Sequence, residues 1–297
     1  MISKLSVNNK DVIPECFCRG SMFLNRFPTK AFGNDIYFFV FLLFFILSGC
    51  VHQEYNLATG QEETLFYSED KESRIGRRVA EKIEEEYPVV GDVDANERAD
   101  NVLEKIIAVC DRKNLIYRIS ILDRKDSEDD EIINAVSLPG GYVYIFKDLM
   151  DKIGTDDQLA AIISHEVAHI AAKHSLKRMQ NVTGAVLLQV LAAAQTSART
   201  AAGLDLALTS LFLDYAQQDE FQADELGLKY MTQAGFDPKG MTEMLEVLRA
   251  YDRKQPAQRF SYWRTHPYIS QRIAKVKGAI KGEIEFEDYI HLIGSEP

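Results

Sequence analysis

The chain has 297 residues, of which 46% are hydrophobic, and its formal net charge is −11. The apolar fraction excludes disorder as the dominant state and is enough for one sizeable core, while the length allows one or two domains. A compact acidic body repels nucleic acid, so no nucleic-acid partner is expected.

Residues 1–49 are predicted to form a signal peptide. Residues 36–47 are an uncharged apolar run that is short for a membrane span, and the run leads through Ser-Gly to Cys50. This ending resembles the lipobox of bacterial lipoproteins, in which the cysteine after the cleavage site is lipidated. Translation from Met22 would give a leader of ordinary length, and an uncleaved anchor helix is the alternative interpretation.

Residues 50–68 are accordingly expected to be a lipidated N-terminus and a spacer, with Cys50 as the lipid-bearing residue. Several acyl chains on one cysteine would hold the protein stably at a membrane. Val51 follows the cysteine in place of an aspartate, which in lipoprotein sorting points to the outer membrane. The expected location is therefore the bacterial cell envelope, on the periplasmic face of the outer membrane.

The body, residues 69–282, is predicted to be one α+β domain that precedes a tail over residues 283–297. Periodicity and turn signals give its elements in chain order: helices over 69–86 and 95–112, a strand over 115–122, extended runs over 132–138 and 142–146, a helix from Thr155 to about Lys173, a helix ending near Ala234, another to about Arg253, and a last helix after Pro267. The extended runs predict a small sheet. Cys110 lies on an apolar stripe and is expected to be a buried structural thiol.

Residues 183–213 are rich in Ala and Leu, which could suggest a membrane hairpin. Polar and charged residues interrupt this run, for example Gln189 and Arg199. The interruptions favour packed core helices over membrane spans.

The helix that begins after Thr155 contains the run His165-Glu166-Val167-Ala168-His169. A spacing of four residues places both imidazoles on one helix face, where two nitrogens can reach one ion. Glu166 can lean over a water bound to that ion, so it is the candidate general base. Burial of these side chains is costly without partners. The motif predicts one zinc ion per chain.

A third ligand must come from elsewhere, because a catalytic zinc usually takes three protein ligands and leaves the fourth position to water. Glu220 is the best candidate, since it shares a helix face with Asp224. Asp224 can accept the outer N–H of a ligand histidine. Asp219 is the competitor, but it projects about 100° away from Glu220.

Four motifs in this order resemble the gluzincin peptidases of the HtpX, Oma and CAAX-prenyl-protease group. They are the zinc helix, the Glu220–Asp224 stretch, Asn134-Ala135 with Pro139-Gly140-Gly141, and Thr265-His266-Pro267 with Arg272. The resemblance covers about residues 70–280. It implies a mostly helical, zincin-like metalloprotease domain with a small β-sheet, and the leader favours the small bacterial lipoprotein branch.

The resemblance also implies roles for single residues. Glu220 is the third ligand and Asp224 supports the site. Members of the group often carry arginine three residues before the ligand glutamate, where this chain has Gln217. His266 is expected either to approach the zinc and block it or to help stabilise the oxyanion, and the alternative is a loop histidine packed beside Pro267.

A substrate-binding strand is a further implication of the resemblance. The family's edge strand, here Tyr142–Phe146, would bind the substrate backbone by strand addition. The residues expected to contact substrate are Asn134, Gly140, Gly141, Tyr142 and Val143.

The predicted reaction is peptide-bond hydrolysis by zinc-activated water, with Glu166 as the base and no covalent enzyme intermediate. The resemblance implies unfolded or misassembled envelope polypeptides as substrates, and the lipid anchor implies contact with a membrane. Two other functions stay open. One is a membrane-tethered chaperone or binding module with a vestigial zinc site, and the other is a zinc hydrolase acting on a non-peptide substrate such as a cell-wall cross-link.

Overall fold

The computed structural model describes residues 52–56, 58–65, 67–124, 131–181, 215–254 and 261–282. The predicted signal peptide, Cys50, the helices expected within 183–213 and the C-terminal tail lie outside these residues. Among the described residues, no helix combines the length and the apolar character that crossing a bilayer requires.

The described residues form a mostly helical α+β fold, as predicted. The strands are β1 (His52–Asn56), β2 (Gln61–Leu65), β3 (Arg118–Leu122), β4 (Ala135–Leu138) and β5 (Tyr142–Phe146). The helices are α1 (Glu69–Glu86), α2 (Val93–Val109), α3 (Lys147–Met150), α4 (Asp156–Ala171), α5 (Gln217–Gln233), α6 (Lys239–Lys254), α7 (Tyr262–Thr265) and α8 (Ile269–Lys281). Residues 174–181 are helical as well, and Cys110 at the end of α2 is buried.

Three strands form the small sheet that the extended runs predict, in the order β3-β5-β4. Strand β5 pairs parallel with β3, where Arg118 faces Tyr142, and antiparallel with β4, where Ala135 faces Ile145. Strands β1 and β2 form a separate antiparallel hairpin.

The expectation that Tyr142–Phe146 is an edge strand is wrong. This strand is β5, which lies in the middle of the sheet with hydrogen-bonded neighbours on both sides. Its N–H and C=O groups are already paired and cannot bind an added strand. Strand β4 lies at the edge instead, because the turn after Leu138 returns the chain between β3 and β4.

The expected substrate contacts of Gly140, Gly141, Tyr142 and Val143 depend on that edge position, which β5 does not have. Gly140 donates its N–H to the carboxylate of Glu72 in α1 at 3.2 Å. The carbonyl of Gly141 accepts the N–H of Arg118 at 2.8 Å. These contacts hold the β4–β5 turn against α1 and β3.

Helix α4 runs through the centre of the core. Every residue from Leu159 to Ala171 is buried, and α2, α5, α6 and β4 pack around the helix. The Thr155 hydroxyl accepts the N–H of Gln158 at 3.2 Å, which is the capped start that the sequence predicts. The helix ends at Ala171, before the predicted end, because Lys173 has a left-handed backbone with φ of 58°.

Helix α5 approaches α4 closely at Gly227. A Cβ atom at this position would lie 3.1 Å from the backbone nitrogen of His165. The missing side chain therefore lets the two helices come together, and the first turns of α5, with Glu220 and Asp224, reach the buried histidines of α4.

Candidate metal centre

His165 and His169 lie one turn apart on α4, and their Nε2 atoms are 3.0 Å apart. Both side chains are buried. Burial holds the pKa of His169 well below its usual value, although Glu220 acts in the opposite direction. The ring of His169 is therefore neutral, which is the form in which histidine binds a metal ion.

Glu220 completes a set of three donors. Its Oε1 lies 3.3 Å from Nε2 of His169, and its Oε2 lies 3.6 Å from Nε2 of His165. Donors at the corners of a zinc tetrahedron, with bonds of about 2 Å, are separated by about 3.3 Å. The spacing across α4 and α5 therefore fits one zinc ion, as does a set of two imidazoles and one carboxylate.

His266 lies at the fourth corner of this cluster. Its Nδ1 is 3.3 Å from Nε2 of His165 and 3.0 Å from Oε1 of Glu220. The donor atoms of His165, His169, Glu220 and His266 all lie within 4.8 Å of one another. The ring is buried and stacks on Tyr262, with the ring centroids 4.3 Å apart. The structure thus brings His266 to the predicted metal site.

Glu166 is buried beside the cluster. Its Oε1 lies 3.4 Å from Nε2 of His266, and neither carboxylate oxygen has a hydrogen-bond partner among the described residues. A buried carboxylate without hydrogen bonds is costly, so such a group indicates a binding partner at this place. A metal ion with its attacking water would supply that partner.

Asp224 and Arg272 form a buried layer behind His165. Two nitrogens of Arg272 donate to the two oxygens of Asp224 at 2.8 and 2.7 Å, and its Nη1 lies 2.6 Å from Oε2 of Glu220. Oδ1 of Asp224 is 3.0 Å from Nδ1 of His165. In this geometry Asp224 accepts the outer N–H of the ring and turns Nε2 toward the centre.

In this layer, each buried charge stabilises the ionised form of its oppositely charged neighbours. Burial opposes the charge of both carboxylates, yet Arg272 keeps the pKa of Glu220 and of Asp224 below the usual range. Burial also opposes the charge of Arg272, but Asp224 raises its pKa well above the usual value. With Glu166, the group holds three carboxylates and one guanidinium, a formal charge of −2 that one divalent cation would neutralise.

Neither Asn134 nor Asp219 belongs to the donor cluster found among the described residues. Asn134 is fully buried just before β4, and its Oδ1 accepts the hydroxyl of Thr265 at 3.2 Å. Its Nδ2 has no hydrogen-bond partner within the described ranges. Asp219 lies outside this donor cluster, and its Oδ1 is 3.7 Å from Nε2 of His174. The geometry thus supports Glu220 over Asp219 as the third ligand.

Three further side chains touch the centre, and no sequence pattern predicts a role for them. Nδ1 of His174 is 2.9 Å from Nδ1 of His169. The ring of Tyr215 stacks on His169 with a centroid distance of 3.9 Å, and the ring of Tyr262 stacks on His266. His174 follows His169 by five residues, a spacing that does not share a helix face, so periodicity could not reveal it.

Comparisons with known proteins agree with this geometry. Residues 95–280 match peptidase family M48. The chain is 31% identical to the mitochondrial metalloendopeptidase OMA1 of Schizosaccharomyces pombe, over 59% of this chain and 50% of that protein. It is 26% identical to the beta-barrel assembly-enhancing protease of Escherichia coli over 50% of this chain and 32% of that protein. The metalloprotease LoiP of the same species is 25% identical over 51% of this chain and 60% of its own length. The chain thus spans less than two thirds of the length of these relatives.

Proposed function

Because the chain belongs to peptidase family M48, we propose that it is a zinc-dependent endopeptidase that hydrolyses peptide bonds of misfolded or misassembled envelope proteins. The observation that carries this proposal is the convergence of His165, His169 and Glu220 from two helices, with Glu166 beside them. A gluzincin with this donor set is what the motifs predict, and the family match confirms the predicted resemblance.

Each residue of the site has a separate role in the proposed reaction. When bound, zinc supplies a Lewis acid for the scissile carbonyl and for water. Glu166 accepts the proton of the attacking water and delivers it to the departing amine, so the C–N bond breaks without a covalent enzyme intermediate. Asp224 orients His165, and Arg272 keeps Glu220 and Asp224 ionised in a buried site.

His266 acts as a block in this proposal. A catalytic zinc site keeps one position open, and Nδ1 of His266 lies at that corner, 3.0 Å from Glu220. Catalysis then requires the ring to withdraw. His266→Ala should raise basal proteolysis, and unchanged basal activity in this variant would leave the histidine with a packing role.

The outer side of the edge strand β4 is the place for the substrate backbone. Antiparallel pairing with β5 leaves the N–H and C=O groups of Ala135 and Ser137 on the outer side. Local contacts occupy that side: Ala135 donates to Oδ1 of Asn134 at 2.9 Å, and the hydroxyl of Ser175 donates to the carbonyl of Ser137 at 3.3 Å. A substrate strand would displace them, and Nδ2 of Asn134 is a further donor for it. Ser137→Pro should raise KM while zinc content is unchanged, since proline removes an outward N–H without breaking the sheet.

The proposed location rests on the predicted leader. The apolar run before Cys50, with Val51 after it, supports a lipid anchor at the periplasmic face of the outer membrane. One relative carries the name beta-barrel assembly-enhancing protease, which supports envelope proteins as substrates. Metabolic labelling with palmitate checks the anchor, because Cys50→Ala should abolish a label that the wild-type protein carries.

Metal analysis and a casein assay on the same purified samples test the function. Glu166→Gln should keep zinc and lose activity roughly 10²- to 10⁴-fold, because only the base is removed. Glu220→Ala should lose the metal itself. Lys277→Met on the surface of α8 is the matched control and should change neither quantity. Full activity in Glu166→Gln would place the base elsewhere.

The two other functions predict different results in this assay. A chaperone with a vestigial zinc site would bind unfolded protein without cleaving it, and Glu166→Gln would have no effect. A hydrolase for non-peptide substrates would leave casein intact at any zinc concentration. Glu166, which has no hydrogen bond to any described residue, lies beside the donors and favours a hydrolase over the chaperone, since a purely structural site needs no base.

A further inference from the structure

A chain of hydrogen bonds leads outward from the ligand His169. Its Nδ1 lies 2.9 Å from Nδ1 of His174, and Nε2 of His174 lies 2.9 Å from Oε1 of Gln222. Both histidines are buried, and Gln222 belongs to α5 between Glu220 and Asp224. The second ligand helix thus contacts His169 on both sides, through Glu220 at the inner nitrogen and through Gln222 and His174 at the outer one.

The contacts decide which nitrogen of His174 carries a proton. Two acceptors face its Nε2, the amide oxygen of Gln222 and the carboxylate of Asp219 at 3.7 Å. Nε2 therefore carries the proton and donates it. Since a neutral imidazole has one donor and one acceptor, Nδ1 of His174 is an acceptor. It accepts the Nδ1 proton of His169, which leaves Nε2 of that ring as a free lone pair toward the metal.

The backbone is bent at the point that this contact requires. In a continuous helix, residues five apart do not face each other, so His174 could not reach His169 from an extended α4. Lys173 interrupts the helix with a φ of 58°, a conformation that side chains other than glycine adopt rarely. Its ammonium is buried and lies 2.7 Å from the carboxylate of Glu54 in β1, and the side chain of Asn56 donates to the carbonyl of Ala171 at 3.2 Å. The hairpin β1–β2 thus fixes the turn that aims His174.

We propose that His174 is a positioning residue for the metal centre, which accepts the outer N–H of His169 and is itself set by Gln222. The inference rests on the zinc site of the proposed function and extends it to the second ligand histidine, as Asp224 serves the first. The two supports differ in charge, because His165 faces a carboxylate paired with Arg272 and His169 faces a neutral ring. Because His174 is neutral, it leaves the formal charge of the buried centre at −2, which one divalent ion balances.

Zinc affinity of the purified full chain, measured by competition with a chelating dye, tests this role. His174→Leu removes the acceptor and should weaken zinc binding about 10- to 100-fold. His174→Asn places an amide oxygen near the position of Nδ1 and should restore most of the affinity. Gln222→Leu should weaken binding in the same direction but less, since only Asp219 at 3.7 Å then holds the proton of His174 on Nε2. Lys277→Met, on the surface of α8 and paired with Glu246, is the control and should bind zinc like the wild type.

Two more measurements separate positioning from folding. Thermal unfolding in chelator should differ little between His174→Leu and His174→Asn, whereas the visible spectrum of the cobalt-substituted Leu variant should change with the ligand geometry. Equal zinc affinity in wild type, His174→Leu and Gln222→Leu would overturn the proposal. Wild-type protein that binds zinc but does not cleave casein would refute the peptidase alone, and wild-type protein without zinc affinity would overturn both.

Discussion

The substitution Arg272→Met tests whether one buried guanidinium balances the carboxylates of the metal centre. Arg272 is 1% exposed and lies 2.6 Å from Glu220 and 2.7 Å from Asp224. Removing one partner of a buried ionic group typically costs about 3–5 kcal/mol, because the remaining charges lose their compensation. Methionine fills much of the same volume, so the cost arises mainly from charge rather than from a cavity.

The expected loss of stability can be measured as a decrease in the melting temperature. A domain of this size loses roughly 2–4 °C per kcal/mol, so Arg272→Met should melt about 6–20 °C below the wild type in the presence of a chelator. Excess zinc should narrow the difference, because its two positive charges compensate Glu220 directly. Circular dichroism melts with chelator and with zinc measure both effects.

Lys277→Met on the same helix provides the matched comparison. Lys277 pairs with Glu246 at 2.6 Å, but both side chains are more than 40% exposed. Such surface pairs contribute at most about 1 kcal/mol to the free energy of unfolding. Equal melting temperatures of Arg272→Met and Lys277→Met in chelator would show that Arg272 does not carry the charge balance of the centre.

Three other predictions concern stability. Two of them are substitutions outside the zinc site, and the third is the effect of zinc binding. Arg112→Met breaks a buried bidentate pair with Glu72 at 2.7 and 2.9 Å and should cost about 3–5 kcal/mol in denaturant unfolding, with zinc content unchanged in the folded fraction. Gly76→Ala would place a Cβ 1.8 Å from a backbone carbonyl of the β4–β5 turn and should cost at least about 1–3 kcal/mol by overpacking. At Gly91 an added Cβ would meet no described residue within 4 Å apart from its chain neighbours, so Gly91→Ala should be nearly neutral in the same denaturant titration. Zinc at 1,000 times its Kd should stabilise the wild type by about 4 kcal/mol, and calorimetry should find no such gain in Glu220→Ala.

Several parts of the site follow from local rules. The spacing of His165 and His169 and the capped start at Thr155 depend only on helix geometry, so a sequence pattern predicts them. The shared face of Glu220 and Asp224 follows in the same way. The signals at Arg272 and His266 were weaker, because a motif marks their presence without showing which distant group each one contacts.

The sequence by itself predicted His165, His169 and Glu220 as zinc donors with Glu166 beside them, and it determined that a small sheet accompanies a helical core. Only the tertiary structure decided that β4 rather than β5 is the edge strand, that His266 reaches the fourth corner and that His174 supports His169. Periodicity predicts which face of a helix or strand is buried, and this pattern is set by residues close together in the sequence. Neighbours across the fold depend on how whole elements pack, as where Gly227 lets α5 approach His165, and no local pattern encodes that arrangement.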